Sequence, residues 1–122
     1  MNYSFEVDDA INHGVNEAIM LSNFKYWLRH NLANDKHIYD DNVWTFNSKK
    51  AFAELFPFWS EMQVRRVLDS LIKQNVIKTS NYNKMGFDRT LWYALVRPEM
   101  LEIIISRNRP MQKSKSTNLY QI

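Results

Sequence analysis

A chain of 122 residues has room for one domain, since domains usually take about 100–200 residues. Its 45% hydrophobic and 14% aromatic content excludes a disordered chain, and the absence of cysteine excludes disulfides and thiolate metal sites. The net charge of +3 is unevenly distributed: residues 1–61 carry five Lys/Arg against nine Asp/Glu (−4), and residues 62–122 carry eleven against four (+7).

This charge asymmetry predicts an acidic face turned to solvent or protein and a basic face turned to an anion. The alternative is an uneven charge on an ordinary surface. No apolar run approaches the ~18 residues of a membrane span, and the N-terminus lacks the basic and apolar regions of a signal peptide. We therefore expect a cytoplasmic protein with no membrane partner.

The first predicted element is a helix over residues 15–32, a stretch without Pro or Gly. Its apolar stripe has helical spacing and is formed by Leu21, Phe24, Leu28 and Leu32. Five further apolar residues widen the stripe: Val15, Ala18, Ile19, Tyr26 and Trp27. We expect a central helix that is buried on most sides.

A short strand and a helix follow in the chain. The β-branched and aromatic residues 43–46 predict the strand. Asn47 or Ser48 can cap a helix over residues 49–55, and a turn of about four residues, 56–59, comes after it. We interpret the aromatic residues at this elbow as core packing: Phe52, Phe56, Phe58 and Trp59.

The next predicted helix covers residues 60–74. Ser60 and Gln63 fit the capping-box pattern, in which the serine hydroxyl accepts a hydrogen bond from the Gln63 amide and the Gln63 side chain reaches back to the cap. Asn75 suits the left-handed residue that follows many helices. The apolar face of the helix carries Val64, Val67, Leu68 and Leu71.

The last elements are a hairpin, a helix and a tail. Residues 76–80 and 91–96 are strand-like and are separated by a polar loop. A helix is expected over residues 99–106, since Pro98 suits a first turn, and residues 107–122 have the composition of a basic, polar tail or linker. The order predicts a mainly α winged helix-turn-helix domain with a small β-hairpin, over residues 1–106.

We expect this fold to have one shared core. The predicted members are Leu21, Phe24, Leu28, Phe52, Val64, Leu68, Leu71 and Trp92. The last helix has more apolar residues than one short face can bury, which favours a homodimer; closure of the domain's own core is the alternative. These residues are Met100, Leu101, Ile103, Ile104 and Ile105.

The helix over residues 60–74 has the features of a DNA recognition helix. Opposite its apolar face lie Met62, Arg66, Asp69 and Lys73, and its flanks carry Gln63, Arg65 and Ser70. Arg can pair with guanine and Gln with adenine, and residues near the N-terminus of such a helix, including Ser60, reach base edges. The alternative is an amphipathic helix with a solvated polar face, on which Arg66 pairs with Asp69.

The hairpin loop adds candidate phosphate contacts. Its donors are Asn81, Asn83, Lys84 and Arg89, and such contacts fix register without reading sequence. Tyr82 and Phe87 could hold the loop in shape or lie against sugar. The alternative is a merely soluble loop in which Arg89 pairs with Asp88.

Signals for catalysis are weak. We predict that the protein is not an enzyme and that it has no metal site and no cofactor. His13 and Glu17 are four residues apart on the expected first helix, but two residues do not make a metal site. The only glycines are Gly14 and Gly86, which excludes a glycine-rich phosphate loop.

Several stretches stand in a distinctive order between about Phe5 and Val96. They are residues 14–19, 26–27, 44–48, Phe56-Pro57-Phe58-Trp59-Ser60 and Asp88-Arg89-Thr90-Leu91-Trp92-Tyr93. Together they resemble phage and prophage replication-type winged-helix proteins, such as replisome organisers. The resemblance implies phage origin and binding of double-stranded DNA by the helix after Ser60, in replication initiation or gene control. Asp41 and Asn75 stand where that family often has Gly, and both keep turn propensity.

A second hypothesis from the sequence is a winged-helix adaptor. Such a domain binds a host or phage protein, for example a replication component, through the acidic first half. The two hypotheses predict different surfaces. A continuous positive strip along the outer face of Arg66 and Lys73 and the hairpin favours DNA, whereas a strip broken by Asp69 and Asp88 favours a protein partner.

Overall fold

The computed structural model of the chain describes residues 2–101. Within this range the chain forms helices and small antiparallel sheets. The helices are α1 (Val7–His13), α2 (Val15–Ala33), α3 (Lys49–Leu55) and α4 (Glu61–Lys73). The strands are β1 (Ile38–Tyr39), β2 (Asn42–Val43), β3 (Thr45–Phe46), β4 (Ile77–Ser80) and β5 (Trp92–Leu95). None of the described helices is both long and apolar enough to cross a membrane.

Helix α1 was not expected from the sequence. It is held to α2 by a buried ion pair, in which Lys25 Nζ lies 2.7 Å from Asp9 Oδ2. Gly14 separates the two helices with φ at 114°, a conformation that side chains with a Cβ rarely adopt. His13 and Glu17 therefore lie in different helices, and the prediction that they share one helix is wrong.

A second unexpected element is the β1–β2 hairpin, in which Ile38 pairs with Val43. Its two-residue turn consists of Asp40 and Asp41, with φ values of 52° and 61°. A two-residue hairpin turn of type I′ needs positive φ at both positions, and Asp tolerates this region better than most residues. The sequence signal was present, but these acids were not interpreted as a hairpin turn.

The predicted strand over residues 43–46 is divided into two. Its first residue belongs to β2, whereas Thr45 and Phe46 form β3 and pair with Tyr93 and Trp92 of β5. Strand β5 also pairs with β4, so the three-stranded antiparallel sheet has the order β3-β5-β4.

The main core lies between α2, α3, α4 and this sheet. Six of the eight predicted core residues are buried in it: Leu21, Phe24, Leu28, Phe52, Val64 and Leu71. Leu68 is half-buried and packs against the same cluster, so the predicted phase of α4 is confirmed. Trp92 is buried in a separate cluster with Trp44 and Ala94, and its assignment to the shared core is wrong.

The exposed side of α2 is wider than the sequence suggested. Val15, Tyr26 and Trp27 were counted with the buried stripe, yet all three are exposed. Polar Lys25 and Asn31 are buried instead, because the first pairs with Asp9 and the amide of the second donates to the Trp44 carbonyl oxygen at 2.9 Å. Apolar periodicity could not distinguish these faces, since apolar residues lie on most sides of α2.

Aromatic packing at the elbow between α3 and α4 is largely as expected. Phe52 and Phe56 are buried, and Trp59 packs on Phe56 with ring centroids 4.9 Å apart. Phe58 is the exception, since about half of its side chain is exposed. It contacts the ring of Tyr3, whose hydroxyl donates to the Leu55 carbonyl oxygen.

The described part of the predicted last helix ends at residue 101. Glu99, Met100 and Leu101 have helical conformation, Leu101 is buried in the main core, and Met100 packs against that core. These two residues therefore help to close the domain's own core. The rest of the predicted helix, with Ile103, Ile104 and Ile105, and the predicted tail over residues 107–122 lie outside the described residues.

A histidine whose charge should affect stability lies against Trp92 of the second cluster. The His37 ring contacts Phe46 and Trp92 edge to face, and burial followed by the nearby Lys36 charge lowers the His37 pKa from 6.5. The folded state therefore favours the neutral ring, while the unfolded state takes up a proton below about pH 6.5. We expect the free energy of unfolding to fall as the pH drops from about 7.5 to about 5.5.

Urea unfolding of the wild type and of His37→Asn at both pH values measures this effect. Asn is chosen because residue 37 has a φ of 57°, which Asn accepts. The variant should lose less stability on acidification than the wild type. An equal loss in both proteins would assign the pH dependence to another group.

Candidate nucleic-acid interface

Helix α4 is fixed firmly to the core. Its N-terminus is capped by Ser60, whose hydroxyl oxygen accepts from the Gln63 amide at 3.1 Å, as predicted; within residues 2–101 the expected return hydrogen bond from the Gln63 side chain to Ser60 is not formed. Val64, Val67 and Leu71 are buried along one face. Since this face is anchored, the direction of every other side chain on α4 is set by the helical period.

The opposite face of α4 is exposed. It carries Met62, Arg66, Asp69 and Lys73, as predicted, and Met62 has 64% of its surface exposed. Arg65 is exposed as well, whereas Gln63 and Ser70 are half-buried. The predicted α4 residues thus lie on the exposed face of the helix and its flanks, apart from Ser60 at the cap.

Arg66 does not pair with an acid on its own helix. Within residues 2–101 it forms no ion pair with Asp69 or Glu61, and its Nη2 donates instead to Met62 Sδ at 3.5 Å. A thioether is a weak acceptor, so this contact is easily exchanged for a stronger one. The guanidinium is therefore available to an external anion.

Asn83 organises the β4–β5 loop, residues 81–91. Its Nδ2 donates to the carbonyl oxygens of Asp88 at 3.0 Å and Thr90 at 2.8 Å, and its Oδ1 accepts from Trp92 Nε1 at 2.8 Å. Both amide hydrogens are thus used inside the loop. This geometry assigns Asn83 to holding the loop in shape and removes it from the set of candidate phosphate donors.

The same loop is tied to the β1–β2 hairpin by Tyr82. The Tyr82 ring stacks on Tyr39, with ring centroids 4.6 Å apart, and its hydroxyl donates to Asp40 Oδ2. That hydrogen bond to the Asp40 carboxylate raises the Tyr82 pKa, with smaller contributions in the same direction from desolvation and the Asp40 charge. The predicted role of Tyr82 in the shape of the loop agrees with this geometry, while Phe87 is 78% exposed at the loop tip.

The two cationic side chains of the loop are exposed to solvent. Lys84 and Arg89 are exposed, and in the described range Arg89 forms no ion pair with Asp88. The Asp88 carboxylate accepts from the Thr90 amide at 3.0 Å, and this backbone hydrogen bond lowers the Asp88 pKa. Asp88 therefore stays ionised. Its carboxylate is a hydrogen-bond partner of the loop backbone and not an ion-pair partner of Arg89.

A groove of about 940 Å³ lies between α3, α4 and the β4–β5 loop. Of the predicted site residues, it is lined by Arg65, Asp69, Asn81 and Arg89. The remaining outward residues, Met62, Arg66, Lys73 and Lys84, are not part of its lining. The fold thus divides the predicted residues between an outer α4 face, a loop tip and a groove.

Two lysines at the start of α3 line the same groove. Lys49 and Lys50 are exposed and add two positive charges to those of Arg65 and Arg89. Sequence reasoning missed them, since only tertiary packing brings the start of α3 beside α4. A Lys pair directly after the helix cap Ser48 was the available signal.

The groove also contains negative charge. Glu61 and Asp69 belong to its lining, so its charged side chains are four cations and two carboxylates. Burial, and then the Asp69 charge, raises the pKa of Tyr93, whose side chain lies at the inner wall. Asp69 thus interrupts the positive surface without reversing its sign.

The C-terminal end of α4 is held by α1. Gln74 Nε2 donates to the His13 carbonyl oxygen at 3.1 Å and to Ser70 Oγ at 2.9 Å, and Gln74 Oε1 lies 2.9 Å from His13 Nδ1. Asn75 then adopts a φ of 62°, as predicted for the residue after this helix. Ser70 therefore has a local structural partner as well as a position on the flank of α4.

The described residues contain no group of three or more His, Asp or Glu side chains placed to hold a metal ion. Comparison of the chain with protein-family models, curated proteins and solved structures gives no match. The function is therefore inferred from the geometry of this surface and from the sequence.

Proposed function

We propose that this chain is a winged helix-turn-helix domain that binds double-stranded DNA. In this proposal α3 and α4 are the helix-turn-helix pair, α4 is the recognition helix, and the β4–β5 loop is the wing. The chain order α2, β3, α3, α4, β4, β5 and the sheet order β3-β5-β4 support the assignment. The short connection between α3 and α4, residues 56–60 with Phe56 and Ser60 as the caps, also suits that motif.

The observation that carries the DNA-binding proposal is the placement of cations around an anchored helix. Helix α4 buries one face and exposes Arg65, Arg66 and Lys73, while the loop beside it exposes Lys84 and Arg89. A protein that binds duplex DNA needs such a surface, because phosphate contacts supply most of the affinity and fix the register. An exposed helix of this kind can also present Arg to guanine in the major groove.

The proposed contacts fall into two classes. Arg66, Met62 and Gln63 lie in the N-terminal half of α4, where a recognition helix reads base edges, close to its cap Ser60. Lys73, Lys84, Asn81 and Arg89 lie farther along the surface and would meet phosphates. Asp69 repels phosphate and therefore limits the approach of the backbone to the middle of α4.

Replacing Arg66 by Ala tests base reading. The change should weaken binding to a specific duplex by about 1–3 kcal/mol and relax the preference at one base pair, because a forked guanine contact is lost. Lys73→Ala and Lys84→Ala should weaken binding to all sequences alike and lower the salt slope by about one each. Fluorescence polarisation on specific and random duplexes measures both effects.

Lys36→Ala provides a matched control, since Lys36 is exposed on the loop before β1 and is not part of the proposed DNA-binding surface. It should leave affinity and specificity close to the wild-type values. An Arg66→Ala protein that is folded and binds every duplex like the wild type would show that α4 does not read DNA.

The biological setting is proposed from the sequence resemblance alone: phage replication initiation or gene control. A homodimer on a palindromic site belongs to the same proposal. It depends on the apolar residues Ile103, Ile104 and Ile105, which the described range does not include.

A protein-binding adaptor is a second candidate, and two observations favour it: Asp69 interrupts the positive surface beside α4, and several apolar side chains are exposed. Met85 and Phe87 at the loop tip are 56% and 78% exposed, and Val7 and Ile11 are exposed four residues apart on α1. Aromatic residues and Met are enriched at protein interfaces. A folded domain that fails to bind duplex DNA at low salt would move the preference to this candidate.

A further inference from the structure

The groove between α3, α4 and the β4–β5 loop has an apolar floor. Its members are Phe52, Val64, Leu68, Ile72, Leu91 and Tyr93. Ile72 and Leu91 keep 39% and 45% of their surface exposed there. A phosphate group has no apolar surface to cover such a floor, so the phosphate contacts proposed for Asn81 and Arg89 leave this feature unexplained.

The rim of the same groove is positive. Lys49, Lys50, Arg65 and Arg89 belong to it, and within residues 2–101 none of them forms an ion pair with either groove carboxylate, Glu61 or Asp69. An anion entering the groove therefore meets cations without having to break an ion pair with those two acids.

The size of the groove restricts the class of occupant. Its volume of about 940 Å³ lies within the roughly 300–1,000 Å³ range of small-molecule sites. Such sites combine a mostly apolar lining with a few polar groups that orient the ligand. Asn47, Asn81 and Thr90 supply hydrogen-bonding groups beside the apolar floor.

We infer that this groove is a binding site for a small amphipathic anion, with an aromatic or aliphatic body and one carboxylate or similar acidic group. The body lies on the floor against Leu91 and Ile72, and the acidic group lies toward Arg65 and Arg89. The inference goes beyond DNA binding. It does not depend on DNA binding, because every residue that lines the groove belongs to this chain and no DNA group is needed to form the site.

The test uses naphthoate and naphthamide, two probes of equal shape that differ in charge. Amide NMR spectra of the isotopically labelled chain are recorded during titration with each probe, without DNA. Naphthoate should bind in roughly the millimolar range, as its size permits, and shift the amides of Arg65, Asp69, Thr90 and Leu91. Naphthamide should bind about threefold to fivefold more weakly, because it lacks the charge.

Two pairs of variants locate the site. Arg89→Gln should weaken naphthoate binding about threefold to fivefold but leave naphthamide binding unchanged, whereas Arg97→Gln, on an exposed arginine outside the groove, should change neither. Leu91→Asn should weaken both probes, and Ile11→Asn, on a side chain 76% exposed on α1, should weaken neither.

Two results would overturn the inference. One is a set of naphthoate shifts that avoids the groove or an absence of shifts up to about ten millimolar probe, well above the affinity expected for its size. The other is equal binding of naphthoate and naphthamide, which would show that the groove does not select an anionic ligand. Because no DNA is present, these outcomes are separate from any failure of DNA binding.

Discussion

Replacing Asp9 by Ala should lower the free energy of unfolding by about 3–5 kcal/mol. The reason is that the Lys25 ammonium, which is 2.7 Å from Asp9 and 7% exposed, would be left buried without its partner. A loss of this size is a large part of the 5–15 kcal/mol that typically stabilises a domain. Urea unfolding followed by circular dichroism measures it.

Two companion variants distinguish the buried charge from other effects of the substitution. Asp8→Ala changes an exposed carboxylate in the same turn of α1 and should alter stability by less than about 0.5 kcal/mol. Asp9→Leu combined with Lys25→Met removes both charges and should recover most of the loss. If Asp9→Ala proved as mild as Asp8→Ala, the ion pair would not be what holds α1 to α2.

Local sequence signals were sufficient to predict α3 and α4. Ser48 and Ser60 occupy the cap positions, and Asn75 has the left-handed conformation that its position after α4 suggested. Each of these features depends on residues within four positions of each other. Short-range hydrogen bonds and steric limits act within such a distance, so they can be recognised in a sequence.

Features that depend on tertiary contacts were missed. Helix α1 exposes Val7 and Ile11 and turns Asp9 inward, which inverts the usual pattern, because the partner of Asp9 lies on another helix. Trp92 was assigned to the main core because its burial could be expected, but the aromatic cluster that receives it could not. That cluster depends on the unexpected β1–β2 hairpin, whose Tyr39 contacts the Trp92 ring.

The same division applies to the candidate interface. The helical period was sufficient to place Arg66 and Lys73 on the outer face of α4, because an anchored helix fixes its outward side chains. The loop residues were harder to assign, since Asn83 and Arg89 are both polar. The side-chain amide of Asn83 donates both of its hydrogens within the loop, whereas the Arg89 side chain is exposed. The groove with Lys49 and Lys50 required the packing of α3 beside α4.

The largest effect expected for DNA binding is its response to salt. Between about 50 mM and about 200 mM salt, the affinity for duplex DNA should fall by roughly one and a half to three orders of magnitude. Such a fall corresponds to about 3–6 phosphate contacts for one protomer, each contributing about −0.9 to the slope of log affinity against log salt. Lys73, Lys84 and Arg89 are the first candidates for these contacts.

Titration of a generic duplex with the full chain, at several salt concentrations, is the most direct test of DNA binding. The proposed surface predicts binding at low salt and a linear plot of log affinity against log salt with a slope of about −3 to −5. A folded protein that does not bind the duplex at about 50 mM salt, or whose affinity does not change with salt, would contradict it.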